Sequence, residues 1–158
     1  GCLLLALLHE FPAAWGVGVD ISLSAIALAR RNADTLGLGT RAEFIIGDWT
    51  APLAGRFDVV ISNPPYIPTG DIAGLAPEVA RYEPREALDG GPDGMRFLRR
   101  IVHEAPARLK RGGILLMEMD PAQISWCVAE VRLTRAYGEP MVRRDLAGRD
   151  RVIESETV

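Results

Sequence analysis

Apolar positions recur along the chain in two alternating patterns. In some segments they lie three or four residues apart, as in a helix with one buried face, and in others they form the short unbroken runs that are typical of buried strands. The first pattern predicts helices over residues 2–11, 23–36, 95–109 and 121–132. The second pattern predicts strands over residues 16–19, 42–46, 57–61 and 114–119.

Local signals support several of these boundaries. Pro12 ends the first predicted helix, Ser22 is a favourable N-cap for the second, and Gly37 stops that helix. The glycine pair at 112–113 separates the third helix from the strand that follows, and Pro121 can open the last helix. The order of helices and strands is therefore defined over most of the chain.

The alternation of helices and strands predicts an open α/β sheet, mostly parallel and covered on both faces. The run over residues 57–61 is interrupted only by Asp58, so we expect a parallel strand that is buried on both faces. Residues 141–145 and 151–154 predict a C-terminal antiparallel hairpin. Residues 67–94 contain repeated breaks at Pro and Gly and predict a long irregular excursion, a kind of loop that is usually functional or disordered.

Length and charge limit the domain organisation and the partners. The 158 residues, 48% apolar and 25% charged, fit one domain spanning residues 1–158. The 18 Lys and Arg residues against 21 Asp and Glu residues give a net charge of −3, which provides no general attraction for nucleic acid. A solvated hairpin is favoured over an RNA-binding or acid-binding role for the C-terminal arginines Arg143, Arg144, Arg149 and Arg151. We therefore expect no direct nucleic-acid partner.

The cysteines and histidines lack the spacing of a metal site. Cys2, Cys127, His9 and His103 form none of the short pairs that zinc requires, so we expect no metal. Cys127 is expected in the core, and both histidines are expected in surface or packing roles. Two isolated cysteines favour a reducing, cytoplasmic compartment over a secreted disulfide framework. No apolar run approaches the ~20 residues of a membrane span, and the one at residues 3–8 is shorter than a signal peptide.

Polar residues follow the first two predicted strands at the positions where these strands end. Ligands of open α/β sheets bind at the carboxyl ends of the strands. Asp20 suits the hydroxyls of a ribose, although an acid that interacts with the dipole of the next helix is the alternative. Asp48 can accept from an exocyclic amine while Trp49 lies beside an adenine, and the alternative for Trp49 is packing in the core.

The tetrapeptide Asn63-Pro64-Pro65-Tyr66 follows the third of these strands and is the most informative motif. Two successive prolines fix the backbone and remove two N–H donors, so the Asn63 side chain and the Pro64 carbonyl can present acceptors to a substrate amino group. Tyr66 can lie against such a planar group. With an electrophilic methyl group in line, transfer depends more on orientation than on a strong base. The alternative is a rigid turn without chemistry.

Related motifs run through the whole chain: Gly1-Cys2-Leu3, Val17-Gly18-Val19-Asp20-Ile21-Ser22, Gly47-Asp48-Trp49, Ser62-Asn63-Pro64-Pro65-Tyr66-Ile67-Pro68, Tyr82-Glu83-Pro84-Arg85, Ala87-Leu88-Asp89-Gly90-Gly91, Asp93-Gly94 and the segment Asp145-Leu146-Ala147-Gly148-Arg149-Asp150-Arg151. Together they resemble the HemK/PrmC family of S-adenosylmethionine-dependent methyltransferases, which modify the glutamine side chain in the Gly-Gly-Gln motif of peptide-chain release factors. Asn-Pro-Pro-Tyr alone is shared with enzymes that methylate amines of adenine or guanine. The Glu-Pro-Arg and Ala-Leu-Asp-Gly-Gly signatures are more specific to the family.

The resemblance implies a Rossmann-like fold, S-adenosylmethionine as cofactor, release factors as partners and a role for each matched residue. Cofactor binding falls on Gly1, Asp20, Asp48, Trp49 and Asn63. Catalysis falls on Asn63, Pro64 and Tyr66, and substrate binding on Asn63, Pro64, Pro65 and Tyr66. Gly1 matches the last glycine of the loop under the methionine portion of the cofactor.

Two departures from the family affect these expectations. The family has a central strand, a Gly-x-Gly-x-Gly turn and a helical domain before the position of Gly1, so we expect a sheet that lacks its first strand and Gly-rich loop and a chain that binds cofactor poorly by itself. Asp120-Pro121 replaces the usual Ile-Gly region, which leaves the local turn open although Gln123 is retained. A nucleic-acid amino-methyltransferase and an inactive truncated remnant stay as alternatives.

Overall fold

A computed structural model describes residues 1–158 and divides them into two compact units, Gly1–Ala54 and Gly55–Val158. The first unit contains α1 (Cys2–Glu10), β1 (Gly16–Asp20), α2 (Leu23–Thr35) and β2 (Ala42–Ile46). The second unit contains β3 (Phe57–Ser62), α3 (Pro77–Tyr82), α4 (Arg96–Glu104), β4 (Leu109–Glu118), α5 (Ile124–Thr134), β5 (Met141–Arg144) and β6 (Asp150–Glu156). Single turns of 3-10 helix cover Ile72–Gly74, Arg85–Ala87, Ala105–Arg108 and Pro121–Gln123. The expectation of one domain over residues 1–158 stays a prediction.

The first unit is a parallel two-stranded sheet with both helices packed on a shared apolar core. Strands β1 and β2 pair in parallel from Gly16 opposite Ala42 to Asp20 opposite Ile46. The Ser22 hydroxyl caps α2 by accepting from the Ala25 N–H at 3.3 Å, as predicted. The core is formed by Leu5, Leu8, Ile26, Ala29, Ala33, Leu38 and Phe44.

Phe44 on β2 and Arg41, just before β2, contact the other elements of the first unit. A Cβ on Gly18 would lie 2.8 Å from Cδ1 of Phe44, so only glycine lets this aromatic ring lie across β1. The Arg41 guanidinium donates at 2.8 Å to the Leu8 carbonyl in the last turn of α1 and at 2.8 Å to the Ala14 carbonyl in the segment before β1. The first contact satisfies a carbonyl that the helix end leaves without an intrahelical partner.

The second unit is a four-stranded mixed sheet in the order β3-β4-β6-β5. Strands β3 and β4 are parallel, while β6 runs antiparallel to both β4 and β5. The predicted C-terminal hairpin is therefore confirmed. The α/β class with parallel strands and a terminal antiparallel hairpin is also confirmed.

The strands form two sheets and not the single sheet that the alternation predicts. Strand β1 pairs only with β2, and β3 pairs only with β4, so one edge of each lacks a strand partner. The expectation that β3 is buried on both faces is wrong. Its position at the edge of the second sheet leaves Val59 43% and Ile61 36% exposed.

The boundary between α4 and β4 differs from the prediction. The α-helix ends at Glu104, a 3-10 turn follows, and β4 begins at Leu109, five positions before the predicted start at Ile114. The pairing with β3 shifts between Phe57 and Val59, so the glycine pair lies in a bulge of β4 and not in a turn before it.

Thr157 fills this bulge. Its hydroxyl donates to the Lys110 carbonyl at 2.6 Å and accepts from the Gly113 N–H at 3.1 Å. The Thr157 backbone N–H donates to the Gly113 carbonyl at 2.9 Å. The contact joins residues 47 positions apart, which explains why local sequence signals give no indication of the bulge.

The excursion over residues 67–94 is more ordered than predicted. It contains the helix α3 and two 3-10 turns. Asp89 holds its two ends together by accepting from the Thr69 hydroxyl at 2.6 Å and the Gly91 N–H at 3.0 Å. These two hydrogen bonds also lower the pKa of the Asp89 carboxyl. Glycines and prolines here shape a folded segment.

Two buried hydroxyls at the end of the chain provide a matched test of the second unit. Ser155 is 1% exposed and its hydroxyl has no hydrogen-bond partner in the chain, whereas Thr157 is 8% exposed and anchors the bulge. We expect Ser155→Ala to raise the free energy of unfolding by up to about 1 kcal/mol, because it removes an unsatisfied buried polar group. Thr157→Val should lower it by about 1–3 kcal/mol, because buried backbone groups lose their partner.

Denaturant unfolding of the two variants beside the parent chain measures the difference. Equal destabilisation by both substitutions would contradict the hydrogen-bond assignment, since the two positions differ in bonding and not in burial.

Candidate active site

Asp20 and Asp48 lie at the carboxyl ends of the two paired strands of the first sheet. Asp20 is the last residue of β1, and Asp48 lies two positions after Ile46, the residue of β2 that pairs with Asp20. Both carboxylates are exposed. One Asp20 oxygen, Oδ1, accepts from the Ser22 N–H at 2.8 Å, and Oδ2 has no partner in the chain. The second oxygen is therefore available to a ligand hydroxyl, and the first also serves the turn into α2.

Trp49 has an unusual backbone conformation. Its φ of 53° lies in the left-handed region, which non-glycine residues rarely adopt, and its side chain is half-buried. Such a conformation costs of order 1–3 kcal/mol and is found preferentially at ligand sites and switches. The predicted ligand position next to Asp48 is thus also a position of local strain.

Gly1 has a clear packing role. Its carbonyl accepts from the Leu5 N–H at 3.1 Å at the start of α1. A Cβ here would lie 2.7 Å from Cβ of Ala29 and 3.0 Å from Cε1 of Phe44. Glycine therefore brings α1 against α2 and β2, a role that sequence reasoning did not assign to it.

The Asn63-Pro64-Pro65-Tyr66 turn directly follows the end of β3 in the second unit. Pro64 is buried, Tyr66 is half-buried and Asn63 is exposed. The Asn63 side chain makes no hydrogen bond within the chain, and neither does the Pro64 carbonyl. The turn thus presents two polar acceptors that the fold itself leaves unused.

Charged residues surround the Tyr66 side chain. Burial raises the pKa of its hydroxyl, the carboxylates of Glu118 and Asp120 raise it further, and Arg151 opposes them. The Tyr66 phenol therefore stays protonated at neutral pH and can donate a hydrogen bond.

Gln123, which the sequence analysis notes only as retained and without a role, bonds to this turn from another element. It is 5% exposed, and its Nε2 donates to the Tyr66 carbonyl at 2.8 Å and to the Gly94 carbonyl at 3.3 Å. Its Oε1 accepts from the Asp120 N–H at 3.1 Å, while the Asp120 side chain accepts from the Ala122 N–H at 2.9 Å.

This arrangement is a capping box between Asp120 and Gln123, and Pro121 is the first residue of the 3-10 turn that Asp120 caps. It resolves the open question at Asp120-Pro121, because these residues form a well-capped start to the turn before α5. The signal in the sequence was an N-cap acid with glutamine three residues later.

Other singled-out residues have packing or surface roles. Cys127 is fully buried, and burial raises the pKa of its thiol to about 12, so it is a core residue as expected. His9 is exposed, and Nε2 of His103 lies 2.7 Å from a carboxylate oxygen of Glu130. Each C-terminal arginine faces an acid of the same hairpin, in the pairs Arg143 with Glu154, Arg144 with Asp150, and Arg149 and Arg151 with Asp145. The arginines are therefore paired within the hairpin, and the solvated-hairpin interpretation stays a prediction.

Two kinds of feature are absent from the structure. No group of three or more His, Cys, Asp or Glu side chains is placed to hold a metal ion. None of the helices has both the length and the apolar character that crossing a bilayer requires.

Curated proteins similar to this chain share one description. It is 46% identical over 153 residues to a release factor glutamine methyltransferase of Rhodospirillum rubrum, covering 97% of this chain and 47% of that protein. It is 49% identical over 156 residues to the protein of the same description from Caulobacter vibrioides, covering 97% of this chain and 53% of the relative. The chain thus spans about half the length of the curated relatives it matches. The resemblance stated from the motifs is confirmed.

Solved structures with low sequence identity share the fold. A methyltransferase from Pyrococcus furiosus matches with a TM-score of 0.69 at 14% identity, over 98% of this chain and 68% of that structure. A 16S rRNA methyltransferase from Thermus thermophilus, solved with AdoMet and guanosine, matches with a TM-score of 0.68 at 20% identity, over 100% of this chain and 35% of that one. These likenesses establish a Rossmann-like methyltransferase fold. A family model described as "Methyltransferase domain" matches residues 1–144, and this chain therefore belongs to that methyltransferase family.

Proposed function

We propose that the chain is the catalytic part of an S-adenosylmethionine-dependent enzyme that methylates the side-chain amide nitrogen (N5) of glutamine in the Gly-Gly-Gln motif of peptide-chain release factors. The observation that carries the proposal is the pair of unused acceptors, the Asn63 side chain and the Pro64 carbonyl, at the carboxyl end of β3. The relatives named above are described as release factor glutamine methyltransferases, which supports the same substrate.

A primary amide is a poor nucleophile whose geometry the enzyme must fix. The Asn63 oxygen and the Pro64 carbonyl would each accept one N–H of the substrate amide, which fixes the plane of the nitrogen. The Tyr66 ring and Pro65 would cover one side of that plane. Orientation of this kind can lower the activation barrier by several kcal/mol, and it requires no general base with a shifted pKa.

The residues at the edge of the first sheet fit the proposed cofactor. Oδ2 of Asp20 is free to accept from a ribose hydroxyl, and the strained Trp49 with its neighbour Asp48 suits an adenine and its exocyclic amine. Gly1 would lie under the methionine portion, and the cofactor role of Asn63 stays a prediction from the resemblance. Bound S-adenosylmethionine would supply an electrophilic methyl group: as the N–CH3 bond forms, the S–CH3 bond would break to leave a neutral thioether, and the nitrogen would release one of its two protons to solvent.

A protein partner is favoured over nucleic acid by charge and by the second unit. The net charge is −3, and the arginines of the C-terminal hairpin are neutralised by acids of the same hairpin. We propose that the ordered excursion after Tyr66 forms one wall of a pocket for a protein loop. A cytoplasmic location follows from this substrate, since release factors act on ribosomes.

We expect Asn63→Ala to lower kcat for methylation of a Gly-Gly-Gln peptide by about 100-fold or more, because the substrate nitrogen loses one of two orienting acceptors. Transfer of a radiolabelled methyl group from S-adenosylmethionine to the peptide is measured with the protein as its organism expresses it. Asn32→Ala, at an exposed position of α2, is the control and should leave the rate unchanged. Near-parent turnover of Asn63→Ala would remove Asn63 from the reaction.

Asp20→Asn should weaken S-adenosylmethionine binding about 10- to 100-fold, because a charge-assisted hydrogen bond is worth roughly 1.5–3 kcal/mol. Asn retains an oxygen for the Ser22 N–H, so α2 keeps its start. Calorimetric titration of the enzyme with cofactor measures the change in affinity. Asp34→Asn, at an exposed position of α2, is the matched control. Equal affinity in parent and Asp20→Asn would assign Asp20 to the helix dipole only.

Substrate class distinguishes the leading proposal from its alternatives. We expect the enzyme to methylate a release-factor Gly-Gly-Gln peptide with kcat/KM at least ~100-fold above that for an adenine or guanine amine in DNA or RNA, since the proposed wall of the excursion shapes the pocket for a protein loop and the net charge of −3 gives no attraction for nucleic acid. Comparable rates on both substrates would favour a nucleic-acid amino-methyltransferase. Absence of transfer to every substrate by the naturally expressed protein would favour an inactive remnant.

A further inference from the structure

The turn that bears the two acceptors is held at its far end by a buried side chain from another element. Pro64 and Pro65 have no N–H, so the centre of the turn cannot anchor itself through backbone donors. Its last carbonyl, that of Tyr66, accepts instead from Nε2 of Gln123, 57 positions away along the chain. Gln123 is 5% exposed, so the bond is shielded from competing water.

The Gln123 amide divides its hydrogen bonds between two tasks. Its oxygen accepts from the Asp120 N–H and completes the capping box, which is a local structural role. Its NH2 group donates both hydrogens away from that box, to the carbonyls of Tyr66 and Gly94. The donor side joins the turn after β3 to the end of the excursion, and a capping box requires neither contact.

The excursion approaches Tyr66 so closely that only glycine fits at two places. A Cβ on Gly90 would lie 2.8 Å from Cα of Tyr66, and a Cβ on Gly94 would collide with the Tyr66 carbonyl oxygen. Gly94 also has a φ of 72°, which side-chain-bearing residues rarely adopt. The Gln123 NH2 group thus lies where backbone of the turn and backbone of the excursion come into contact.

We propose that Gln123 is a positioning residue for methyl transfer: its NH2 group fixes the Tyr66 carbonyl, and through it sets the direction in which the turn presents the Asn63 and Pro64 acceptors to the substrate amide. This inference rests on the proposed role of the Asn63-Pro64-Pro65-Tyr66 turn. It adds a residue outside the turn that determines substrate geometry without touching the substrate.

Two substitutions separate the donor from the acceptor. Gln123→Leu removes both functions, while Gln123→Glu keeps an oxygen for the Asp120 N–H and removes the NH2 donors. Thr157→Val is the matched control, because it removes buried hydrogen bonds from the same unit at the opposite end of β4. The comparison requires kcat and KM for a Gly-Gly-Gln peptide, the Kd of S-adenosylmethionine and the Tm of each variant.

We expect both Gln123 variants to lose about 10- to 100-fold in kcat for the peptide at pH 8, as misplacement by about 1 Å does. Cofactor Kd should stay within about 3-fold of the parent. Thr157→Val should lose thermal stability and keep its kcat at temperatures well below its Tm. If Gln123→Leu and Thr157→Val have the same kinetics at matched stability, Gln123 has only a structural role and the proposal is overturned.

A pH series on Gln123→Glu adds a readout that loss of packing would not produce. Burial should raise the pKa of the new carboxyl, because position 123 is 5% exposed and lies beside Asp120 in the capping box. Below that pKa the protonated acid again has a donor for the Tyr66 carbonyl. The kcat of Gln123→Glu relative to the parent should therefore rise between pH 8 and pH 6, while the ratio for Gln123→Leu stays constant. Parallel pH dependence of both variants would contradict the donor role.

Failure of the proposed substrate has a different outcome from failure of this inference. If the parent enzyme methylates a nucleic-acid amine and not the peptide, the substrate proposal falls, and the same variants are then measured on that amine. A preserved kcat of Gln123→Leu on whichever substrate the parent accepts overturns the positioning role.

Discussion

Pro64 and Pro65 carry no N–H group, so the turn after β3 can accept hydrogen bonds but cannot donate any from its centre. In the same turn the Asn63 side chain and the Pro64 carbonyl have no hydrogen-bond partner in the folded chain. Burying an acceptor without a hydrogen-bond partner costs free energy, so such acceptors are expected where water or a ligand can reach them. The rest of the second unit then has to fix the turn from outside, which Gln123, the two close glycines and the excursion do together.

Charged side chains are paired in the C-terminal hairpin, whereas the candidate site has a carboxylate oxygen without a partner. In the C-terminal hairpin each arginine lies beside an acid, and Asp145 accepts from the Arg149 side chain and from the N–H groups of Ala147 and Arg149. Exposed pairs of this kind contribute little to stability but leave no excess positive charge. At the strand ends, by contrast, the exposed Asp20 carboxylate has one oxygen with no partner. Unused polar capacity is thus found where ligands of such folds bind.

Sequence signals predicted the first unit more closely than the second because its boundaries are local. Pro12, Ser22 and Gly37 act within a few residues, and the observed α1, β1, α2 and β2 end within one residue of the predictions. The early start of β4 depends on Thr157 and the exposure of β3 on its edge position, and both follow from contacts between distant segments. Motif chemistry predicted a role for Asn63, whereas the bonds of Gln123 to Tyr66 and Gly94 required the fold.

The chemical nature of the residue at position 123 is itself informative. A lysine or arginine could also donate to the Tyr66 carbonyl, but it would bring a full positive charge into a buried position beside the proposed site. The glutamine amide supplies two donors and no charge, whereas Glu118, Asp120 and Arg151 already act electrostatically on Tyr66. A neutral donor therefore fixes the backbone of the turn without adding a buried charge to this set.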